Sequence, residues 1–130
     1  MKSIFVFGSN LKGIHGAGAA KFAITKRGAV FGKGVGLQGD SYAIPTKASP
    51  YVTLRLEAIG EYVQDFLIFA ESHPHMFFEV SRIGCGLAGY TDVDIAPMFK
   101  GAPANCQLPH GWRALNKEAE YRRPAFTRPQ

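Results

Sequence analysis

"SIFVF", residues 3–7, is short, apolar, rich in β-forming side chains and closed by Gly8; "HGAGAAK", residues 15–21, follows it after a few residues. The first run reads as a buried strand, because a strand covered on both faces shows no polar alternation. The second opens a helix over residues 16–27, in which Ala17, Ala20, Phe22, Ala23 and Ile24 share a broad apolar face and which Gly28 ends. A buried strand passing through glycines into a helix is the start of a parallel α/β unit.

The rest of the chain continues that alternation. Residues 28–40 hold five glycines and read as a loop, with or without a short edge strand. "SYAIP", residues 41–45, is a second strand that Pro45 is expected to end, since proline cannot donate to a central ladder. Thr53 is placed to cap a helix running to about Ser72, because Ile59, Tyr62, Val63, Phe66, Leu67 and Ala70 recur at three- and four-residue spacing. "MFFEVSR", residues 76–82, is a third strand and leads into a second glycine-rich loop, "IGCGLAGY", residues 83–90. Asp94 then caps a short helix with Pro97 in its first turn, and "NCQL", residues 105–108, makes a fourth strand. The predicted fold is an α/β sandwich with a mostly parallel central sheet. The remainder, with its prolines at 103, 109, 124 and 129, reads as loops and an extended tail.

At 130 residues and 46% hydrophobic composition the chain suits one domain with a moderate core. No run resembles a signal peptide or a membrane span, so a cytoplasmic location is expected. Cys85 and Cys106 lie on different elements and outside ligand spacing, which favours neither a disulfide nor a metal site. The net charge of +5 is uneven. Residues 113–130 carry five basic and two acidic side chains, leaving +2 for residues 1–112. The expected organisation is therefore a ligand-binding domain over 1–112 and a basic tail over 113–130, either solvated or in weak contact with nucleic acid.

Ligands of parallel α/β sheets bind where strands pass into loops at their carboxyl ends. Both glycine-rich loops, residues 8–18 and 84–89, fall there. Glycine lacks the Cβ that keeps a ligand off the backbone, so successive N–H groups and a helix N-terminus can face phosphate oxygens. Two such loops suit a diphosphate; the alternative is that one serves a turn and the other a close helix–sheet contact. "GIHGAG" lacks GxGxxG spacing and no GxxxxGK[ST] occurs, so the dinucleotide and P-loop fingerprints are absent.

"FGSN", residues 7–10, followed by "LKGIHGAGAA", resembles the first ligand loop of macro domains, an ADP-ribose-binding family with a three-layer sandwich. "RIGCGLAGY", residues 82–90, resembles the family's second phosphate loop and is most similar to the terminal ADP-ribose glycohydrolase branch; "AIPTK", residues 43–47, is similar to the strand bearing that branch's catalytic lysine. The likeness runs over roughly residues 3–108, starting at the strand that bears Asn10. It implies a first loop of Gly8, Ser9 and Asn10, with Asn10 on the distal ribose and the backbone of Gly16, Ala17 and Gly18 on the diphosphate. It also implies that Gly84, Cys85, Gly86, Leu87, Ala88 and Gly89 close over the diphosphate, that Tyr90 lies against the distal ribose, and that Lys47 is the nucleophile. Ala88 stands where the branch has an aspartate; Asp92 is an alternative source of that carboxylate if it does not cap the helix that follows.

Several side chains keep two readings. Lys47 as a nucleophile needs a neutral amine; otherwise it is a solvated cation. His15 is an acid, base or phosphate contact, or a cap. Cys85 is a stabilised thiolate or a small buried thiol. Asp92 and Asp94 can instead cap the last helix. The leading expectation is binding of ADP-ribose or a related nucleotide diphosphate, without cofactor or metal. If hydrolysis accompanies it, Lys47 attacks or Asn10 and His15 position a water. The competing expectations are a small basic module contacting nucleic acid or a protein through Trp112 and residues 121–123, and a lysine- or cysteine-dependent hydrolase of another nucleotide. The oligomeric state is open.

Overall fold

The computed structural model describes residues 2–121, with side chains through residue 117. In chain order the elements are β1 (Lys2–Asn10), α1 (Gly18–Lys26), β2 (Gly36–Gln38), β3 (Ser41–Ser49), β4 (Val52–Thr53), α2 (Leu56–Glu71), β5 (Met76–Val80), α3 (Asp92–Ile95), a 3-10 turn (Ala96–Phe99), β6 (Cys106–Gln107) and α4 (Trp112–Tyr121). The sheet runs β2-β3-β1-β5-β6, with β4 paired to β3. β1 is parallel to β3 and β5, and β5 to β6, whereas β2 and β4 are antiparallel to β3. Among the described residues this is a mixed α/β fold with six strands and four α-helices.

Alternation along β1 shows how both faces of the sheet are used. Ile4 and Val6 join a large cluster with Tyr42, Phe66, Phe78, Phe99 and Trp112, while Phe5 and Phe7 join a smaller one with Ala20, Ala23 and Ala43. Successive strand residues point to opposite faces, so the first cluster packs α2, the 3-10 turn and α4 on one side and the second packs α1 on the other. Within the large cluster Phe66 lies edge-on to both Tyr42 and Phe78, at 5.0 and 5.3 Å between ring centroids. Each such fully buried ring contributes about 1.5–3 kcal/mol of apolar burial.

Three local expectations change. α1 starts at Gly18, not residue 16, and buries only Ala20 and Ala23; Phe22 is half-exposed, edge-on to Phe5 at 5.1 Å. β3 continues through Pro45 to Ser49. That proline is tolerated because β2 pairs with residues 41–43 and β4 with 47–49, so at Pro45 the strand has β1 as its sole neighbour. Thr53 does not cap α2: it belongs to β4, the N-cap position is Arg55, and the Thr53 hydroxyl donates to the Ala88 carbonyl at 3.3 Å.

The segment read as a tail begins as α4. Trp112 is fully buried and packs on Phe99 at 5.3 Å, and Arg113 donates to the carbonyls of Ala102, Pro103 and Cys106. Asn116 donates to the Ala96 carbonyl at 3.0 Å. The start of the basic segment is thus fastened to the core. The arginines at 122, 123 and 128 lie outside the described residues. No helix among the described residues is long and apolar enough to cross a membrane.

Candidate functional site

The carboxyl ends of β1, β3 and β5 open into one cleft of about 680 Å³. From the sequence-derived site it takes residues 8–10, 16–18, Lys47 and 84–88 into its lining; His15, Gly89 and Tyr90 do not line it. Residues 8–10 belong to β1 itself, not to the loop.

Asn10 fixes the shape of the first loop. Its Nδ2 donates to the Ile14 carbonyl at 2.8 Å, and its Oδ1 accepts the Ile14 N–H at 3.1 Å, while the Gly13 N–H reaches the Asn10 carbonyl at 2.9 Å. The carboxamide expected to hold a ribose thus shapes the loop from beneath. Residues 32–34 brace the same loop from outside. Gly32 N–H donates to the Gly13 carbonyl at 2.8 Å and the Ser9 hydroxyl to the Gly34 carbonyl at 2.5 Å. A Cβ on Gly34 would lie 2.2 Å from the Asn10 carbonyl oxygen, so only glycine permits this contact.

His15 completes the brace. It is buried, lies edge-on to Phe7 at 5.3 Å between ring centroids, and places Nε2 3.0 Å from the Lys33 carbonyl. A carbonyl can only accept, so Nε2 carries the proton. His15 thus contacts the backbone of the bracing segment and does not line the cleft.

The loop delivers the chain to α1 at Ala17, whose methyl cannot cap the helix. The first intrahelical bond near that end is Lys21 N–H to the Ala17 carbonyl, so the N–H groups of residues 18–20 have no acceptor within the helix. Those of Gly16 and Ala17 are also unpaired among the described residues. All five residues line the cleft.

The second loop approaches from β5. Gly84 has φ +74°, and a Cβ there would sit 2.9 Å from Cδ1 of the buried Ile95, so both backbone and packing require glycine. Tyr90 N–H to the Gly84 carbonyl (2.8 Å) and Gly89 N–H to the Gly86 carbonyl (3.0 Å) close the loop. The Tyr90 hydroxyl donates to the Leu54 carbonyl at 2.7 Å, which ties the loop to the entrance of α2. The N–H groups of Gly86, Leu87 and Ala88 have no partner among the described residues, and all three residues line the cleft.

Lys47 and Arg82 line the cleft and, among the described residues, no carboxylate does. Lys47 Nζ donates to the Pro50 carbonyl at 3.2 Å. Arg82 was not among the expected site residues, although it directly precedes "IGCGLAGY" at the strand end, where a cation reaches the ligand side. Its guanidinium is paired side-on with Asp92, Nε to Oδ1 and Nη2 to Oδ2, both at 3.0 Å. Trp112 Nε1 donates to the same Oδ1 at 2.8 Å. The hydrogen bond from Arg82, then that from Trp112, holds the Asp92 carboxyl below its ordinary range. Asp92 opens α3 behind a Thr91–Asp94 capping box and is not a cleft-lining carboxylate. Burial, and then the nearby Asp92 charge, push the Cys85 thiol up, the direction of a small buried thiol and not of a stabilised thiolate. Among the described residues no group of three metal-binding side chains gathers.

The arrangement is an array of unpaired backbone donors on both walls of a cleft carrying two cations, which is the chemistry of anion capture. Compared with protein-family models, curated proteins and solved structures, the chain matches none.

Proposed function

We propose that the cleft binds ADP-ribose or a related nucleoside diphosphate, in a three-layer, macro-domain-like sandwich. The observation that carries this reading is the convergence of two glycine loops with unpaired N–H groups on one cleft that, among the described residues, holds Lys47 and Arg82 and no carboxylate. A single phosphate needs one such loop; a diphosphate uses both. The cleft volume, about 680 Å³, lies within the range of small-molecule and cofactor sites. Alanines 19 and 20 and the apolar rim at Ile14, Tyr51 and Leu87 suit a ligand that is anionic in the middle and less polar at its ends.

Calorimetry with ADP-ribose, ADP, AMP and NAD tests the reading. Diphosphates should release heat and AMP should bind at least tenfold more weakly; no heat with any diphosphate removes it. Hydrolysis is a second activity at the same site, favoured by the place of Lys47 in the cleft wall. It predicts that Lys47→Ala abolishes release of ADP-ribose from an ADP-ribosylated peptide while ADP-ribose still binds. The nucleic-acid reading loses one of its expected contacts, because Trp112 is buried; the side chains of residues 121–123 lie outside the described residues.

A further inference from the structure

We infer that Asp92 is a positioning residue for the cleft: it grips one edge of the Arg82 guanidinium so that the opposite edge is presented to a bound anion. The inference rests on the reading of the cleft as an anion site and assigns the part that selects for a phosphate-bearing ligand.

Arginine carries five N–H donors in a planar fork. The side-on pair with Asp92 occupies one N–H on Nε and one on Nη2. Nη1 and the second N–H of Nη2 remain, on the edge turned away from the carboxylate. The Arg82 side chain is 60% exposed, and an arginine so placed would otherwise sample many rotamers. Holding it in one orientation removes the ordering cost that a ligand would meet.

The grip is itself anchored. Asp92 Oδ1 accepts from the indole of Trp112 at 2.8 Å, and that indole is fully buried against Phe99. Cys85, inside the second loop, donates its thiol to the same oxygen at 3.8 Å. One carboxylate therefore ties the strand-end cation, the second loop and the first residue of α4 together. Because Asp92 does not line the cleft, its effect on a ligand passes through Arg82.

Charge alone makes the opposite prediction. Removing a carboxylate near an anion site should tighten anion binding, whereas loss of the grip should loosen it. The test is calorimetry with inorganic pyrophosphate and with ADP-ribose on the full chain and on Asp92→Asn, Arg82→Ala, the double variant and Arg82→Lys. Asparagine retains an oxygen for Trp112 but loses the charged fork-to-fork pair. The expected result is a three- to tenfold weaker pyrophosphate affinity in Asp92→Asn, a loss of similar size in Arg82→Lys, and no further loss when Asp92→Asn is added to Arg82→Ala. Unchanged or tighter binding in Asp92→Asn overturns the inference, as does an equal loss in the Arg82→Ala background, which marks a merely structural role. Arg82→Lys binding like wild type, or absence of pyrophosphate binding in wild type, also overturns it. Should Asp92→Asn fail to fold, the Arg82→Lys comparison decides alone. Pyrophosphate binding without any preference for ADP-ribose removes the nucleotide reading and leaves the grip; ADP-ribose binding indifferent to Asp92→Asn does the reverse.

Discussion

Two glycines of the first-loop region separate folding from ligand approach, and replacing each by alanine should give opposite results. At Gly34 the new Cβ would stand 2.2 Å from the Asn10 carbonyl oxygen and 2.9 Å from the Leu11 carbonyl carbon, all backbone atoms. Relief requires a shift of about 1 Å, since nonbonded carbon contacts are comfortable near 3.5 Å. Overpacking of this kind costs about 1–3 kcal/mol. The shift also strains the Ser9 hydroxyl bond to Gly34, worth about 1 kcal/mol. Together these give about 2–4 kcal/mol out of roughly 6–20 kcal/mol for a chain of this length. Gly34→Ala should stay folded, with a urea midpoint lower by about 1–2 M for a slope near 2 kcal/mol/M. At Gly16 a Cβ meets nothing within 4 Å and the backbone is outside the left-handed region. Gly16→Ala should leave the midpoint unchanged or raise stability by about 0.4–1 kcal/mol. In calorimetry, however, its added methyl should weaken ADP-ribose at least tenfold, because it stands between ligand and backbone. Urea titration followed by circular dichroism supplies the first reading. Equal destabilisation by the two substitutions, or undiminished ligand affinity in Gly16→Ala, would refute the division of the two glycines into packing and approach.

Other outcomes follow from single contacts. Arg113→Ala should cost about 1–3 kcal/mol in urea denaturation, because three carbonyls lose a charged donor; a solvated tail arginine would cost nothing. Glu79 is held below its ordinary carboxyl range by hydrogen bonds from Ser3 and then Arg27. Its stabilising effect is therefore full above the unfolded value of about 4.3 and lost as pH falls through the lower folded value. Thermal melts from pH 6 to 3 should show that decline, and Glu79→Gln should flatten it. Burial raises Cys106 to about 11 and also raises Cys85. Iodoacetamide at pH 7.5 should modify Cys85 slowly and Cys106 more slowly still, by mass spectrometry, and saturating ADP-ribose should protect Cys85.

The parts of this molecule legible in its sequence are those set by local pattern. β1, α2 and β5 follow from apolar runs and three–four spacing, and both glycine loops fall at strand ends, as the strand–glycine–helix order implies. What local pattern misleads about depends on partners distant in sequence. Pro45 looks like a terminus because the gap between β2 and β4 that tolerates it is created by pairing. Gly34 looks like a loop residue, yet its lack of a side chain answers to Asn10, 24 residues earlier. α4 hides behind Pro109 and Gly111, although Trp112 and Leu115, three apart, were the available signal. Asn10 reads as a ribose contact through the resemblance to macro domains, and His15 as an acid, base or phosphate contact, or a cap; the hydrogen bonds of both to Ile14 and Lys33 build the loop itself, which only the fold reveals. Arg82 carries little signal of its own in the sequence, because its significance lies in Asp92 and Trp112, which the fold brings to it.

Trp112 is the chain's single tryptophan, and its indole is sealed in the core with its N–H on the carboxylate that also takes Arg82. Its emission should be blue-shifted and free of background from any other indole. A change in that carboxylate's hydrogen bonding when the cleft fills would alter the emission directly. Trp112, linked through Asp92 to the cleft-lining Arg82, should therefore report ligand binding at the cleft as a change in emission in the unlabelled protein, on the timescale of rapid mixing.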